Sequence, residues 1–309
     1  MYYLIYGILY TISLLPIRLL YIFSDGLSLL LYHIIRYRRQ VVMNNLLIAF
    51  PEKTQKQRIA IAKRFYRNFV DNFIETIKLL SADRSYITSH FIIDNPDLLE
   101  SFYRSGRKCQ LHLGHLFNWE IADVAMPIYT DYAFLVVYMP LENKAFDRVF
   151  RKLRSRTGTI LLPATDMRRA ILPYRNEQYL LTLVADQAPA GIDQAYWLDF
   201  FGRPTPFVRS PERGARIANI PVLFVNMYKT RRGYYRAHLE LGAENPAELP
   251  EGELTRLYAS YLERTIRQEP TMWLWSHNRW KKQWSQKYEK NWIGQQDPLP
   301  RSVSGYNNK

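Results

Sequence analysis

The amino terminus carries the feature that most constrains this fold, a run of 16 residues without a charged side chain. Residues 2–17 contain no Asp, Glu, Lys or Arg, and after Arg18 and Asp25 the chain stays largely apolar up to residue 35. A helical span needs about 20 apolar residues, which this run supplies only if Arg18 extends toward the interface. No basic residue precedes the run, which disfavours a cleaved signal peptide. We therefore predict that residues 1–35 form a helical membrane anchor, with a hairpin packed on a soluble domain as the alternative.

The charges that follow predict an orientation and an anionic partner. Arg36, Arg38 and Arg39 come directly after the apolar segment, and by the positive-inside rule they place the body of the chain on the cytoplasmic side. The whole chain has 42 Lys and Arg against 28 Asp and Glu, a net charge of +14. Such an excess predicts binding to nucleic acid, to an anionic membrane surface or to an acidic carrier protein.

The body of the chain alternates between short apolar runs and longer mixed segments. The runs predict buried strands at 109–113, 133–138, 159–162, 180–185 and 222–228. The mixed segments predict helices at 57–80, 120–129, 144–156 and 167–175. This alternation predicts an α/β fold, with a mixed or parallel sheet in a single domain over residues 36–293. The polar residues 294–309 are expected to form a flexible tail.

His115 and Glu120 lie between a predicted strand and a predicted helix, where α/β enzymes place their chemistry. Five residues on one continuous helix turn through about 500°, so the two side chains can meet only if His115 lies in the preceding loop. Asn118 suits the N-cap of that helix. A carboxylate beside an imidazole favours a general base. The alternatives are an ordinary buried histidine with a first-turn acid, or a zinc site completed by His112.

Two further segments carry candidate functional residues. Asp186 and Gln187 follow a predicted strand, where side chains project into the cleft of an α/β sheet. Asp186 could orient a hydroxyl group or an arginine there, or could simply form a turn. Near the carboxyl end, four tryptophans are interleaved with basic residues: Trp273, Trp275, Trp280 and Trp284 with Arg279, Lys281 and Lys282. That pattern is compatible with single-stranded nucleic acid binding, or with an aromatic core that has a basic, membrane-facing edge.

The segment from His115 to Glu120, with the sequence HLFNWE, resembles the H-x-x-N-W-E signature of the bacterial lipid A biosynthesis acyltransferases. These enzymes belong to the lysophospholipid-type acyltransferases, which share an H-x4-[DE] motif. Four other segments resemble the family in the same order along the chain: residues 44–51 (NNLLIAFP), 185–187 (ADQ), 200–204 (FFGRP) and 273–281 (WLWSHNRWK). The resemblance therefore extends from about residue 40 to residue 281.

This resemblance implies an acyltransferase that moves a fatty acyl chain from an acyl-carrier-protein thioester to a hydroxyl of a lipid A precursor. It implies that His115 is the general base, that Glu120 orients the imidazole and stabilises its charged form, and that no metal or organic cofactor takes part. The predicted substrate-binding residues are Asn118, Arg148, Arg168, Asp186 and Gln187. The two arginines are candidates for the phosphates of the precursor, because Arg binds phosphate bidentately.

The expected partners are the acyl carrier protein, a lipid acceptor and the inner membrane at its cytoplasmic face, and not nucleic acid. Two other functions remain open at this point. The acceptor could be another lipid, such as an amino-acid lipid, a lysophospholipid or a polyene. The chain could also be a non-enzymatic basic protein that binds a membrane or nucleic acid, with His115 and Glu120 purely structural.

Overall fold

A computed structural model describes residues 1–295 of the chain. Its helices are α1 (Tyr2–Ser13), α2 (Ile17–Leu29), α3 (Arg39–Ala49), α4 (Gln55–Lys78), α5 (Arg84–His90), α6 (Pro96–Arg104), α7 (Trp119–Tyr129), α8 (Lys144–Arg154), α9 (Met167–Ala170), α10 (Ser210–Ala218) and α11 (Glu253–Gln268). Its strands are β1 (Phe91–Ile93), β2 (Cys109–Leu113), β3 (Ala133–Tyr138), β4 (Ile160–Pro163), β5 (Tyr179–Val184), β6 (Tyr196–Phe200), β7 (Arg203–Phe207), β8 (Val222–Arg231) and β9 (Tyr234–Ala243).

Seven of the strands form one sheet in the order β1-β9-β8-β2-β5-β3-β4. Neighbouring strands are parallel except for the antiparallel pair β8 and β9. β2 lies near the middle, between β8 and β5, so the loop that follows it starts at the carboxyl edge of the parallel strands. β6 and β7 form a separate antiparallel hairpin, in which Phe201 and Gly202 have the positive φ angles of a tight two-residue turn.

The predicted α/β class is confirmed, and so are all five predicted strands. β2 and β3 have the predicted bounds, and β4, β5 and β8 differ from them by one to three residues. The helix predicted at 167–175 is shorter, because α9 ends at Ala170 and a 3-10 turn containing Pro173 follows. Of the tail predicted at 294–309, only Gly294 and Gln295 fall within the described residues.

Helices cover both faces of the sheet. α4 and α7 lie on the face formed by Leu111 and Leu113, while α10 and α11 cover the opposite face, where His112 meets Tyr258. α4 begins with a capping box, in which the Thr54 side chain and the Gln57 side chain each accept a backbone N–H of the other residue. The amino-terminal helices α1 and α2 pack on this long helix.

The amino-terminal segment forms a helical hairpin instead of an isolated helix. α1 packs against α4 and α8, α2 packs against α4, and a π-helical turn, Leu30–Ile35, continues α2. Tyr32 of this turn belongs to the main hydrophobic core. Among residues 1–295, the stretch Ile17–Ile35 is the one helical segment whose length and composition would allow it to cross a bilayer.

Candidate functional site

The candidate site lies where β2 and β5 end side by side. The parallel register pairs Leu113 with Val184, so His115 and Asp186 each follow two residues beyond a paired position. His115 Nδ1 lies 2.5 Å from Asp186 Oδ1, and the backbone N–H of His115 donates to Asp186 Oδ2 at 2.8 Å. The sheet register therefore brings together two residues that are 71 positions apart in the chain.

The loop that carries His115 is fixed by the segment around Trp273. The backbone N–H of Leu274 donates to the carbonyl of His115 at 3.1 Å, and Trp273 Nε1 donates to Asp186 Oδ2 at 2.6 Å. Gly114 allows this loop to lie close to Leu262 and Asp186. A Cβ at position 114 would lie 2.5 Å from Leu262 Cδ1 and 3.2 Å from Asp186 Oδ2. A larger residue at position 114 would displace Leu262 and crowd the Asp186 carboxylate.

The charge of Asp186 determines which nitrogen of His115 can act as a base. Burial alone would raise the pKa of the Asp186 carboxyl, but the charge of His115 and the hydrogen bonds that Asp186 accepts lower this pKa to about 2. An ionised carboxylate only accepts hydrogen bonds, so Nδ1 of His115 carries a proton and donates it. In the neutral imidazole, Nε2 then holds the lone pair, and the amide nitrogen of Gln187 lies 3.1 Å from it. The His115 side chain is 24% exposed, so a substrate can reach Nε2.

His115 and Gln187 line a cavity of about 640 Å³ between the sheet and α7. Most of its wall is apolar, with contributions from Leu111, Leu113, Phe134, Val225, Met227 and Leu239. Two buried polar atoms in this wall, Asn72 Oδ1 and Thr182 Oγ1, have no hydrogen-bond partner among residues 1–295. The volume and the apolar wall allow the cavity to hold a long apolar group, and a reactive atom at one end of that group could lie beside His115.

Glu120 lines the same cavity but has a different partner. Arg154 on α8 donates to both of its carboxylate oxygens, from Nε at 2.8 Å and from Nη2 at 2.5 Å. Both ring nitrogens of His115 are occupied by Asp186 and Gln187. The carboxylate bonded to the imidazole is therefore Asp186, whereas the sequence predicts Glu120 in that position. The part that Glu120 plays in the reaction remains a prediction.

Arg154 also approaches a second carboxylate, with its Nε 3.4 Å from Asp123 Oδ2. Burial raises the pKa of Asp123 to about 7, in a balance where the charge of Arg154 lowers it and that of Glu120 raises it further. Arg151 and Asp147 of α8 line the cavity as well. Sequence reasoning missed these residues, since several basic residues recur in the predicted helix at 144–156 and only the packing reveals which of them face inward.

Asn118 caps α7 as predicted, and its side chain lies behind the cavity wall. Its side-chain oxygen accepts the backbone N–H groups of Glu120 at 3.0 Å and Ile121 at 3.3 Å, which caps α7. Its amide nitrogen donates to the buried Glu75 at 3.0 Å. The side chain is fully buried and does not line the cavity. These contacts give Asn118 a structural role, and its contact with substrate stays a prediction.

The two arginines predicted to bind phosphate do not lie at the cavity. Arg148 is exposed on α8, with its guanidinium 4.2 Å from the ring centre of Tyr2. Arg168 is exposed on α9, beyond the β4 edge of the sheet. The arginines that reach the cavity are Arg151 and Arg154, three and six residues further along α8 than the predicted Arg148.

The zinc alternative does not hold, because its three ligands do not converge. The side chain of His112 lies on the opposite face of the sheet from the cavity, with its Nε2 2.9 Å from Gln110 Oε1. Burial lowers the pKa of His112 to about 3. Within residues 1–295, no group of three or more His, Cys, Asp or Glu side chains is arranged to hold a metal ion.

The aromatic carboxyl-terminal segment belongs to the core behind the site. Trp273 and Trp275 are almost completely buried, so they are not available to stack on nucleic acid bases. The amide nitrogen of Asn45 donates to the carbonyls of Trp275 and His277, both at 2.8 Å. His277 Nε2 accepts the backbone N–H of Ala188 at 3.1 Å, and burial lowers the pKa of its imidazole to about 4. The segment 273–281 thus contacts two others that carry the sequence resemblance, residues 44–51 and residues 185–187.

Comparison with known proteins agrees with this arrangement. The family model described as bacterial lipid A biosynthesis acyltransferase matches residues 1–282, which include the hairpin, the sheet and the segment around Trp273. A search among curated proteins gives no match to this chain. Because the family model covers most of the sequence, the chain belongs to the bacterial lipid A biosynthesis acyltransferases and is an acyltransferase.

Proposed function

We propose that this acyltransferase moves a fatty acyl chain from an acyl-carrier-protein thioester to a hydroxyl of a lipid A precursor. The observation that carries this proposal is His115, held by the ionised Asp186, at the reactive end of an apolar cavity. The cavity volume and its apolar wall suit a fatty acyl chain. The fixed imidazole suits the activation of a hydroxyl group, which at neutral pH is a poor nucleophile until a base removes its proton.

The reaction needs one base and one direct transfer. The acceptor hydroxyl displaces the Gln187 amide from His115 Nε2 and gives its proton to that nitrogen. The oxygen attacks the thioester carbonyl carbon, so that a C–O bond forms and a tetrahedral intermediate results. As this intermediate collapses, the C–S bond breaks and the sulfur of the carrier protein takes the proton from Nε2. Asp186 holds the ring throughout and stabilises its positive charge, as the carboxylate of a Ser-His-Asp triad does.

The charge and the amino terminus of the chain support the rest of the proposal. A net charge of +14 suits an acidic carrier protein as acyl donor, since opposite charges steer such partners together. The apolar segment Ile17–Ile35 supports attachment to the inner membrane. Arg36, Arg38 and Arg39, which follow it, support placement of the body on the cytoplasmic face, because the anionic lipids of that leaflet attract basic residues.

The test is an assay of the purified full-length protein with acyl-carrier-protein or acyl-coenzyme A as donor and a lipid A precursor as acceptor. We expect mass spectrometry to detect the acylated precursor, with the carrier-protein donor preferred. The apparent KM for that donor should rise when ionic strength is increased to about 0.3 M, because salt screens the attraction. Equal use of both donors would contradict the assigned donor, and transfer only to a lysophospholipid would contradict the assigned acceptor.

A further inference from the structure

α2 has the reverse of the residue distribution that is usual for a surface helix of a soluble protein. Its buried residues, Leu20, Ser24 and Ser28, are mostly small and polar, and the polar ends of Tyr21 and Asp25 also reach side chains of the body. The residues that α2 exposes to the outside are large and apolar, and they include Leu19, Ile22, Phe23, Leu27 and Leu29. A helix on the surface of a soluble protein has the opposite arrangement, with its apolar stripe facing inward. The outside of α2 is therefore suited to an apolar medium.

The exposed apolar surface continues on both sides of α2. We define the outer hairpin face as the exposed apolar side chains of α1, α2 and the π-helical turn, represented by Leu4, Ile8, Ile22, Phe23, Leu27 and Ile34. Among these, Leu4, Ile22 and Ile34 are 69%, 68% and 74% exposed. Large continuous apolar patches of this kind mark an interface with a protein or a membrane.

The middle of α2 is bound to the body by charged groups. Arg232, in the turn between β8 and β9, pairs with Asp25 at 2.8 Å and with the fully buried Asp71 of α4 at 2.6 Å. Arg67 of α4 pairs with Asp25 at 2.9 Å, and Ser24 Oγ donates to Asp71 at 2.7 Å. These contacts fix one side of the hairpin on α4.

That attachment distinguishes two orientations in a bilayer. The segment Ile17–Ile35 has 19 residues and is about 28 Å long, close to the thickness of a hydrocarbon core. If it stood upright, Asp25 and the charged groups bound to it would lie near the centre of the bilayer, where charges are strongly disfavoured. If it lies parallel to the membrane plane, the same charged groups stay on the water side while the outer hairpin face enters the lipid.

Basic and tyrosine side chains surround the outer hairpin face. Arg148 and Lys152 of α8 each lie 4.2 Å from the ring centre of a tyrosine of α1, Tyr2 and Tyr6 respectively. Arg18, at the start of α2, and Arg36, just after the π-helical turn, are exposed. Tyrosine and basic residues are favoured at the boundary between lipid and water, and basic residues attract anionic headgroups. This charge pattern points to an anionic lipid surface as the partner.

The cavity lies next to the helices that carry the hairpin. The exposed apolar residues that line the cavity are Phe73 of α4 and Met139 and Leu141, which follow β3. The cavity walls include α4 and α8, and these are the two helices on which α1 packs. A membrane that covers the outer hairpin face would therefore reach the rim of the cavity.

We propose that the outer hairpin face inserts into one leaflet of an anionic membrane, parallel to its plane, instead of spanning the bilayer. The cavity then opens at the membrane surface through Phe73, Met139 and Leu141, and a lipid acceptor reaches His115 directly from the leaflet. The lipid nature of the acceptor rests on the proposed function. The position of the hairpin in the membrane does not, and it can be measured without any assay of activity.

The first experiment measures depth in the membrane. Single cysteines replace Leu4, Ile22, Ile34 or Met139 in the full-length chain and carry a fluorophore, and the protein is reconstituted into vesicles of phosphatidylethanolamine and phosphatidylglycerol. Spin-labelled lipids then quench the fluorophore from near the headgroups or from near the chain ends. The native Cys109 is buried, and burial raises the pKa of its thiol to about 11, so it stays unlabelled. Ile217→Cys is the control, because Ile217 is 76% exposed on α10, across the sheet from the hairpin.

An in-plane hairpin predicts the same shallow depth at Leu4, Ile22 and Ile34, shallow quenching at Met139 and no quenching at Ile217. An upright helix centred on residue 26 predicts unequal depths, with Ile22 about 6 Å and Ile34 about 12 Å from the bilayer centre, so that labels near the chain ends quench Ile22 more strongly. That difference, or the absence of quenching at all hairpin positions, would overturn the proposal. If the depths agree with the proposal while acyl transfer fails, the proposed function is at fault and this inference stands.

The second experiment measures affinity for the same vesicles. Ile22→Glu places a charge on the outer hairpin face and should weaken binding at least about tenfold, because a carboxylate is strongly disfavoured in the lipid interior. Ile217→Glu, an equally exposed site on the opposite face, should leave binding unchanged. Thermal unfolding of both variants verifies that the fold is retained. Equal affinity of the two variants would contradict insertion of this face.

Discussion

Asp186 and Glu120 are two buried carboxylates beside the same cavity, and their charges are balanced in different ways. Asp186 accepts hydrogen bonds from the imidazole and the backbone of His115 and from the indole of Trp273. Glu120 is bound at both oxygens by the guanidinium of Arg154, which it shares with Asp123. One carboxylate thus faces a group that can gain and lose a proton, while the other faces a permanent positive charge.

This difference shows that closeness to a histidine in the sequence does not identify which carboxylate supports that histidine. When His115 gains a proton, the charge of Asp186 is available to stabilise it. The charge of Glu120 is already neutralised by Arg154. Burial alone would lower the pKa of that guanidinium, and the charges of Glu120, Asp123 and Asp147 raise it. We infer that Asp186 supports the base, and that Glu120 is a positioning residue that joins α7 to α8 across the cavity.

The largest expected effect is at His115 and Asp186. His115→Ala should lower kcat by about 10²- to 10⁴-fold, the usual contribution of a general base. Asp186→Asn should cause a loss of similar order, because an asparagine amide can donate to Nδ1 and favour the wrong tautomer. The double variant should be scarcely slower than His115→Ala, since the carboxylate then has no base to support. Single-turnover acyl transfer measures all three rates.

A matched control for this cycle is His238→Ala, which removes an exposed imidazole on β9 that does not line the cavity. Its kcat should stay within about twofold of the wild-type value, as expected for a surface substitution without a named role. Losses that multiply in the His115 and Asp186 double variant would mean that the two residues act independently. The comparison between the carboxylates would then fail.

A smaller effect is expected at Glu120. Glu120→Gln removes one charge of the cluster but leaves Asp123 to pair with Arg154, so unfolding should become easier by about 1–2 kcal/mol. The turnover should fall about tenfold because the cavity wall shifts, an order-of-magnitude expectation for misplaced substrate. This loss should multiply with that of His115→Ala, in contrast to the loss at Asp186.

The matched control for Glu120 is Glu253→Gln, which breaks the pair of Glu253 with Arg256 in the first turn of α11. This partly exposed pair lies away from the cavity, and its loss should change stability by less than about 1 kcal/mol. If Glu120→Gln instead abolishes turnover and adds nothing to His115→Ala, Glu120 acts on the base after all.

The smallest expected effect concerns Asp123 and pH. The pKa of Asp123 is raised to about 7 by burial, well above its value in an unfolded chain, so the folded protein binds more protons than the unfolded one near neutrality. The wild-type free energy of unfolding should therefore increase as pH falls from 8 to 6.5, by about 1 kcal/mol from this group. Asp123→Asn should lack this increase. Denaturant unfolding at the two pH values measures it, and equal pH dependence in both proteins would contradict the assigned shift.

The sequence alone determined much of this protein through local rules. Period and composition located β2, β3, β4, β5 and β8, because a buried parallel strand must be continuously apolar. Asn118 could be identified as an N-cap, since a short polar side chain before a helix satisfies free backbone N–H groups. The signature HLFNWE and the segments that resemble the family also indicated the reaction class.

The tertiary structure alone decided which residues are partners. Asp186 meets His115 only because β5 lies beside β2 in parallel register, and Glu120 meets Arg154 only because α8 packs across the end of α7. These contacts join residues 71 and 34 positions apart, and no helical or strand period reaches that far. The same holds for the amino terminus, where hydropathy detects an apolar segment but cannot tell which of its faces is fixed to the body. That was decided by Asp71 and Arg232, which hold the polar side of α2 and leave its apolar side facing outward.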